Sequence, residues 1–251
     1  MKLLVVVLCL LSERFLIHSI SYQRFSWFGD YFLLITNALE KRFKNTNPWI
    51  HLAAVVLPLV LLTALIYFLF QNLFFGFTGL LLSIAIFFYC LGPQNPFYPC
   101  SESDSKVGHS EFIGDYFARV NGQLFTVIFW YILAGPVAIL SYRLIALCKN
   151  NDEVSQQAKQ LSHILEWLPA RITALLYLLV GNFQRSITTF LQYAVNITPD
   201  SSYLLLSECG LQAVKLNESD EVPIPNAEAL VEHAAIVMVV FLALFTLAAW
   251  L

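Results

Sequence analysis

An all-α, polytopic membrane fold is predicted for this chain by three stretches that contain no Asp, Glu, Lys or Arg. They are residues 45–101 (57 residues), 120–142 (23 residues) and 233–251 (19 residues). A helix rises roughly 1.5 Å per residue, so about 20 apolar residues cross the hydrocarbon core of a bilayer. The first stretch has room for two crossings and the others for one each. Composition agrees: of 251 residues, 58% are hydrophobic and 12% charged, with mean hydropathy +0.68. A soluble domain is about a quarter charged. The net charge of −3 comes without a basic stripe, so no nucleic-acid footprint is expected.

One integral membrane domain, residues 1–251, is therefore expected to hold about four long transmembrane helices plus short, re-entrant or interfacial ones. The N-terminal run of residues 3–11 imitates a signal peptide, but no small-x-small cleavage site follows it. An uncleaved, short apolar helix is expected there. Residues 13–48 read as an interfacial segment, because Phe28, Phe32, Ile35 and Leu39 recur near helical spacing among basic and aromatic residues. Crossings are then placed at 49–70 and 73–91, with Gln71 and Asn72 as the tight turn and Pro58 as a tolerated kink.

Residues 92–123 read as a proline-rich loop followed by a helix over 111–121. That helix leads into a third crossing at 124–147, with Gly135 and Pro136 as a kink or unwound point in mid-membrane. Residues 148–232 are expected to be largely extramembrane. Within them a polar helix over 150–166 is broken at Trp167-Leu168-Pro169, and a short apolar helix at 171–183 is buried or re-entrant. The acidic stretch up to Glu232 ends in a loop at 222–225, and the last crossing occupies 234–251. Arg14, Arg24, Lys41, Arg42 and Lys44 favour a cytoplasmic placement of residues 13–47.

No Walker A loop, G-x-S-x-G elbow or H-E-x-x-H motif is present, so no catalytic residue can be assigned. The five cysteines show no C-x-x-C spacing and the five histidines are scattered, so no metal site is expected. The candidate ligand-binding residues are Glu13, Arg14, Asn121, Tyr142, Arg143 and Arg171. Glu13 and Arg14 form a charge pair ending the first apolar helix, and Arg14 serves equally well as a snorkelling anchor. Gly135 and Pro136, with Tyr142 and Arg143 downstream, form either a ligand niche around a freed carbonyl or a packing kink. Arg171 follows Pro169 at an expected helix start, where the dipole disfavours a cation. It therefore calls for an anionic partner, either a ligand or a structural carboxylate such as Glu166.

The chain resembles the AmpE family of bacterial inner-membrane proteins, which is related to the CobD cobalamin-biosynthesis family. The resemblance rests on Leu10-Leu11-Ser12-Glu13-Arg14-Phe15, on Tyr89-Cys90-Leu91-Gly92-Pro93, and on residues 121–130 beginning Asn121-Gly122-Gln123. It continues through Gly135-Pro136, Tyr142-Arg143-Leu144 and Trp167-Leu168-Pro169-Ala170-Arg171 to Tyr177 and Gly181. It implies a multi-pass regulatory signalling modulator in the inner membrane, linked to β-lactamase induction and cell-wall state. The expected partners are the lipid bilayer and a cell-wall-derived ligand or nucleotide, with no nucleic acid and no cofactor.

An alternative is a CobD-like amide synthetase using ATP and Mg, with Arg143 and Arg171 on anionic groups and Glu111 or Asp115 holding metal. Near residues 118–122, where that group has an acidic motif, this chain has Arg119 and Asn121 but no carboxylate. A second alternative is a small transporter. It would need polar groups within the crossings, and only Gln71, Asn72 and Ser83 stand out.

Overall fold

The structure, a computed structural model, describes residues 2–15, 24–42, 47–92, 97, 109–198, 200–215 and 222–248. Among these all regular secondary structure is helical, without a strand. In order, the helices are α1 (Lys2–Phe15), α2 (Phe28–Arg42), α3 (Pro48–Phe70), α4 (Phe77–Cys90), α5 (His109–Val120) and α6 (Thr126–Ala134). There follow α7 (Pro136–Cys148), α8 (Ser155–Val180), α9 (Phe183–Tyr193), α10 (Ser201–Val214) and α11 (Ile224–Ala248). A π-helical turn, Asn121–Phe125, joins α5 to α6 without a break.

Among the described residues, five helices are long and apolar enough to cross a membrane: Pro48–Phe70, Leu73–Cys90, Ser110–Ala134, Ser155–Val180 and Ile224–Ala248. The polytopic all-α expectation holds, and its first two crossings fall where hydropathy puts them. The third does not. Residues 124–147 are divided at Gly135, and the crossing helix instead begins in the charged segment before the apolar run. The break predicted at Pro169 is also absent, because α8 runs unbroken through it. The apolar segment 171–183 is thus chiefly the second half of a long helix rather than a short re-entrant one. The last helix starts at Ile224, inside the expected loop. Pro225 is accommodated in its first turn, where a missing N–H costs no hydrogen bond.

The chain divides into two compact units, one of Met1–Pro93 with Trp130–Leu165, the other of Gln94–Phe129 with Glu166–Leu251. In the first, α1 packs on α4, α2 on α3, and both α3 and α4 on α7. Asn47 caps α3 by accepting a hydrogen bond from the Trp49 N–H at 3.1 Å, with Pro48 at the first helical position. Phe28 and Phe32 of α2 are buried with Leu52, Val55 and Val56 of α3, as the helical spacing of the aromatics requires. The turn after α3 is tight. Phe74, Phe75 and Gly76 have φ of 47°, 57° and 86°, and a Cβ on Gly79 would come 2.7 Å from the Gln71 carbonyl oxygen.

In the second unit α10 is the centre, contacting α5, α9 and α11. Its approach to α5 depends on small residues. A Cβ on Gly210 would meet the Phe117 ring at 2.3 Å, and one on Gly114 would meet Ser207 at 3.0 Å. The best-buried and the most exposed spans differ as membrane helices should. The α3 span has mean hydropathy 2.7 and is 17% buried, whereas Ser110–Ala134 has 1.2 and is 56% buried. A helix that faces lipid must be apolar all round, and one that faces protein need not be.

Candidate functional site

Three buried charged residues of the first unit, Glu13, Arg24 and Arg143, meet at the C-terminal end of α4. The last carbonyls of a helix have no intrahelical donor and carry the negative end of its dipole. Two guanidinium groups meet them here. Arg24 Nη1 donates to the Leu91 carbonyl at 2.7 Å, and Arg143 Nε donates to the Cys90 carbonyl at 2.8 Å. Arg24 Nη2 also binds Glu13 Oε2 at 2.6 Å, in an ion pair whose side chains are 2% and 0% exposed. Removing one partner of such a pair leaves a bare buried charge, at a cost of about 3–5 kcal/mol.

Of the sequence candidates, Glu13 and Arg143 therefore converge on one place, with Tyr142 buried beside Arg143. Arg14 is half-exposed on the next position of α1. Arg24 is the member of this cluster that was not among the sequence candidates. Its signal was only that a lone arginine sits among aromatics, and its guanidinium lies 4.3 Å from the Phe88 ring centre. Nearby, the Tyr89 hydroxyl donates to the Arg24 carbonyl, and the Trp27 indole donates to the Tyr89 hydroxyl.

Gly135 and Pro136 form a true break. Gly135 has φ 85° and ψ −169°, a conformation closed to residues with a Cβ, and α7 starts at Pro136. Proline has no N–H to give the carbonyl four residues back, which is Ile132. That carbonyl accepts a hydrogen bond from Lys2 Nζ at 2.7 Å. The freed acceptor, for which the sequence left a ligand niche and a packing kink equally open, is occupied by the chain's own lysine.

In the second unit, Asn121 lies buried in the π turn and accepts a hydrogen bond from Thr173 Oγ1 at 2.8 Å. π turns commonly mark functional positions in helices. Arg171 is mid-helix rather than at a helix start, and its partners contain no carboxylate. Nε donates to the Ala194 carbonyl (3.1 Å). Nη1 donates to the Trp167 carbonyl (3.0 Å) and Ser202 Oγ (2.6 Å), and Nη2 to the Asn196 carbonyl (2.5 Å) and Ser201 Oγ (3.3 Å). A guanidinium has five N–H donors, and these contacts engage all five. The Trp167 ring lies beneath it at 4.5 Å. The residue thus ties the connection between α9 and α10 to α8.

Asp115 accepts a hydrogen bond from the Tyr203 hydroxyl, which faces the carboxylates of Glu111 and Glu208 as well. Together with partial burial this pushes the Tyr203 hydroxyl up to about 12. The described residues bring no three His, Cys, Asp or Glu side chains into a metal-binding group.

A family model described as regulatory signalling modulator protein AmpE matches residues 119–251, just over half of the chain. The match includes Asn121, Tyr142, Arg143 and Arg171. No curated protein and no solved structure matches the sequence.

Proposed function

The chain belongs to the AmpE family, and from that membership we propose that this multi-pass membrane protein modulates a regulatory signal, namely the induction of β-lactamase in response to cell-wall state. The bacterial inner membrane is the expected site. The observation that carries the reading is the family match, which takes in three of the five membrane-crossing helices in whole or part. The chemistry of the buried polar groups supports it. The Arg171 donors are consumed internally, and Arg24, paired with Glu13, donates to the Leu91 carbonyl at the end of α4. Such groups hold one packed arrangement in place, which suits a protein that acts by shape and contact.

The test is deletion of the gene in a host with an inducible chromosomal β-lactamase. Induction by a β-lactam should change, and growth without added cobalamin should not. Loss of cobalamin synthesis with unchanged induction would point to the synthetase reading instead.

A further inference from the structure

The π turn Asn121–Phe125 holds one residue more than an α-helical turn, and the Thr126 N–H reaches back five residues to the Asn121 carbonyl. The turn carries a visible cost. Thr126 is 0% exposed, and its hydroxyl has no hydrogen-bond partner among the described residues. In an α-helical turn a threonine hydroxyl bonds to the carbonyl three or four residues back. The widened turn denies Thr126 that bond, and a buried hydroxyl without a partner is destabilising. What holds the turn open is apolar burial: Leu124, Phe125, Val127 and Ile128 are at most 1% exposed.

The two flanks of the turn differ in freedom. On the N-terminal side α5 is fixed, because Gly114 and Gly210 leave no spare space between it and α10. Asn121 is itself tied to α8 through the Thr173 hydroxyl at 2.8 Å. On the C-terminal side α6 has only nine residues and ends at Gly135, where a φ of 85° interrupts the helix. A Cβ on Gly135 would meet nothing within 4 Å, and glycine changes backbone conformation at little cost. The joint that ends α6 has room to absorb a change of register.

Passing the surplus residue out of the turn leaves an α register. In it α6 is rotated by about 100° and moved by about 1.5 Å along its axis relative to α5. Thr126 then gains a carbonyl, and the apolar side chains around it give up part of their burial. Two registers with opposed gains form a bistable element. We propose that α6 switches between the π register and an α register, with the Asn121–Thr173 bond as the fixed end and Gly135 as the hinge. As the moving part of the regulatory role it rests on the function proposed above; the change of register itself does not.

The test uses the full chain in lipid nanodiscs, with amide hydrogen exchange read by mass spectrometry. Amides of residues 121–126 should exchange about tenfold faster than those of α5, because they open with each change of register. Thr126→Val keeps the shape but removes the hydroxyl that gains from the α register. It should slow this exchange severalfold and leave the melting temperature equal or higher. Thr126→Ser retains the hydroxyl and should exchange as the unmodified protein does. Deletion of Gly122 removes the surplus residue with both flanks left facing as they are, so exchange should fall to the level of α5. In cells both locked variants should be expressed normally and lose most of the change in β-lactamase induction. Exchange over 121–126 as slow as in α5, or unaltered by Thr126→Val, would overturn the switch whether or not the deletion variant folds. Slowed exchange with normal induction in the locked variants would uphold the change of register and overturn its part in regulation. A gene deletion that leaves induction unchanged overturns the regulatory reading alone.

Discussion

Pro136 and Pro169 each sit within a long apolar helical stretch, yet one helix ends and the other continues. At Pro136 the chain breaks and α7 starts afresh, while at Pro169 α8 runs on to Val180. The proline-freed carbonyl does not distinguish them. Ile132 accepts from Lys2 Nζ, and Leu165, four residues before Pro169, accepts from the Trp130 indole N–H at 3.1 Å. The difference lies in the preceding residue. Gly135 adopts φ 85°, which turns the backbone out of the helix. Leu168 has a Cβ and stays helical. The brace around the second proline adds to this, since Arg171 stacks on Trp167 and binds its carbonyl across Pro169. In this chain a proline removes a donor, and only a glycine beside it supplies the turn.

The largest expected effect that would break this comparison comes from Arg171→Lys. Lysine has three donors for five acceptors, so carbonyls and hydroxyls near Pro169 lose their partners. Stability should fall by about 2–4 kcal/mol, and function should fall with it. Thermal unfolding in detergent alongside a β-lactamase induction assay measures both, and a stable but inactive variant would mean the guanidinium serves a ligand instead.

Gly135→Ala should come next. An alanine held at φ 85° costs about 1–3 kcal/mol, so the melting temperature should drop. The same substitution at Leu168 should be milder, because that position is 47% exposed and already helical. Equal losses at the two sites would refute the role given to glycine.

Trp130→Phe removes the donor to Leu165 and should cost about 1–3 kcal/mol. Much of that cost should vanish in a Pro169→Ala background, where the new N–H can take the same carbonyl. A double-mutant cycle on melting temperatures reads this coupling directly. Purely additive losses would show that the indole contributes packing alone.

The smallest effect concerns a tyrosine that bonds to neither proline-freed carbonyl. Hydrogen bonding to Asp115 holds the Tyr203 hydroxyl protonated up to about 12, above its ordinary value of 10.0. Its contribution to stability is therefore complete below pH 10.0 and is lost as pH rises through about 12. Asp115→Asn should move this titration back towards 10.0, read as phenolate absorbance against a Tyr203→Phe reference.

Charge-free length determined, from the sequence alone, that the chain is helical and crosses a membrane several times. The energy of placing a charge in hydrocarbon depends on residue type and little on context. It placed α3 and the hairpin after it, and helical spacing found the buried face of α2 through Phe28 and Phe32. Tertiary structure decided where helices end and what the buried polar groups do. Whether Pro136 or Pro169 breaks a helix depends on a backbone angle and on donors contributed by Lys2 and Trp130, which lie 130 and 35 residues away from the carbonyls they serve. Arg24 could not be recognised as the partner of Glu13 until α1 and α4 packed together, nor Arg171 as a five-fold structural donor until the α9–α10 connection folded over it. Hydropathy sums over neighbours along the chain, whereas a hydrogen bond is settled by a distance in space.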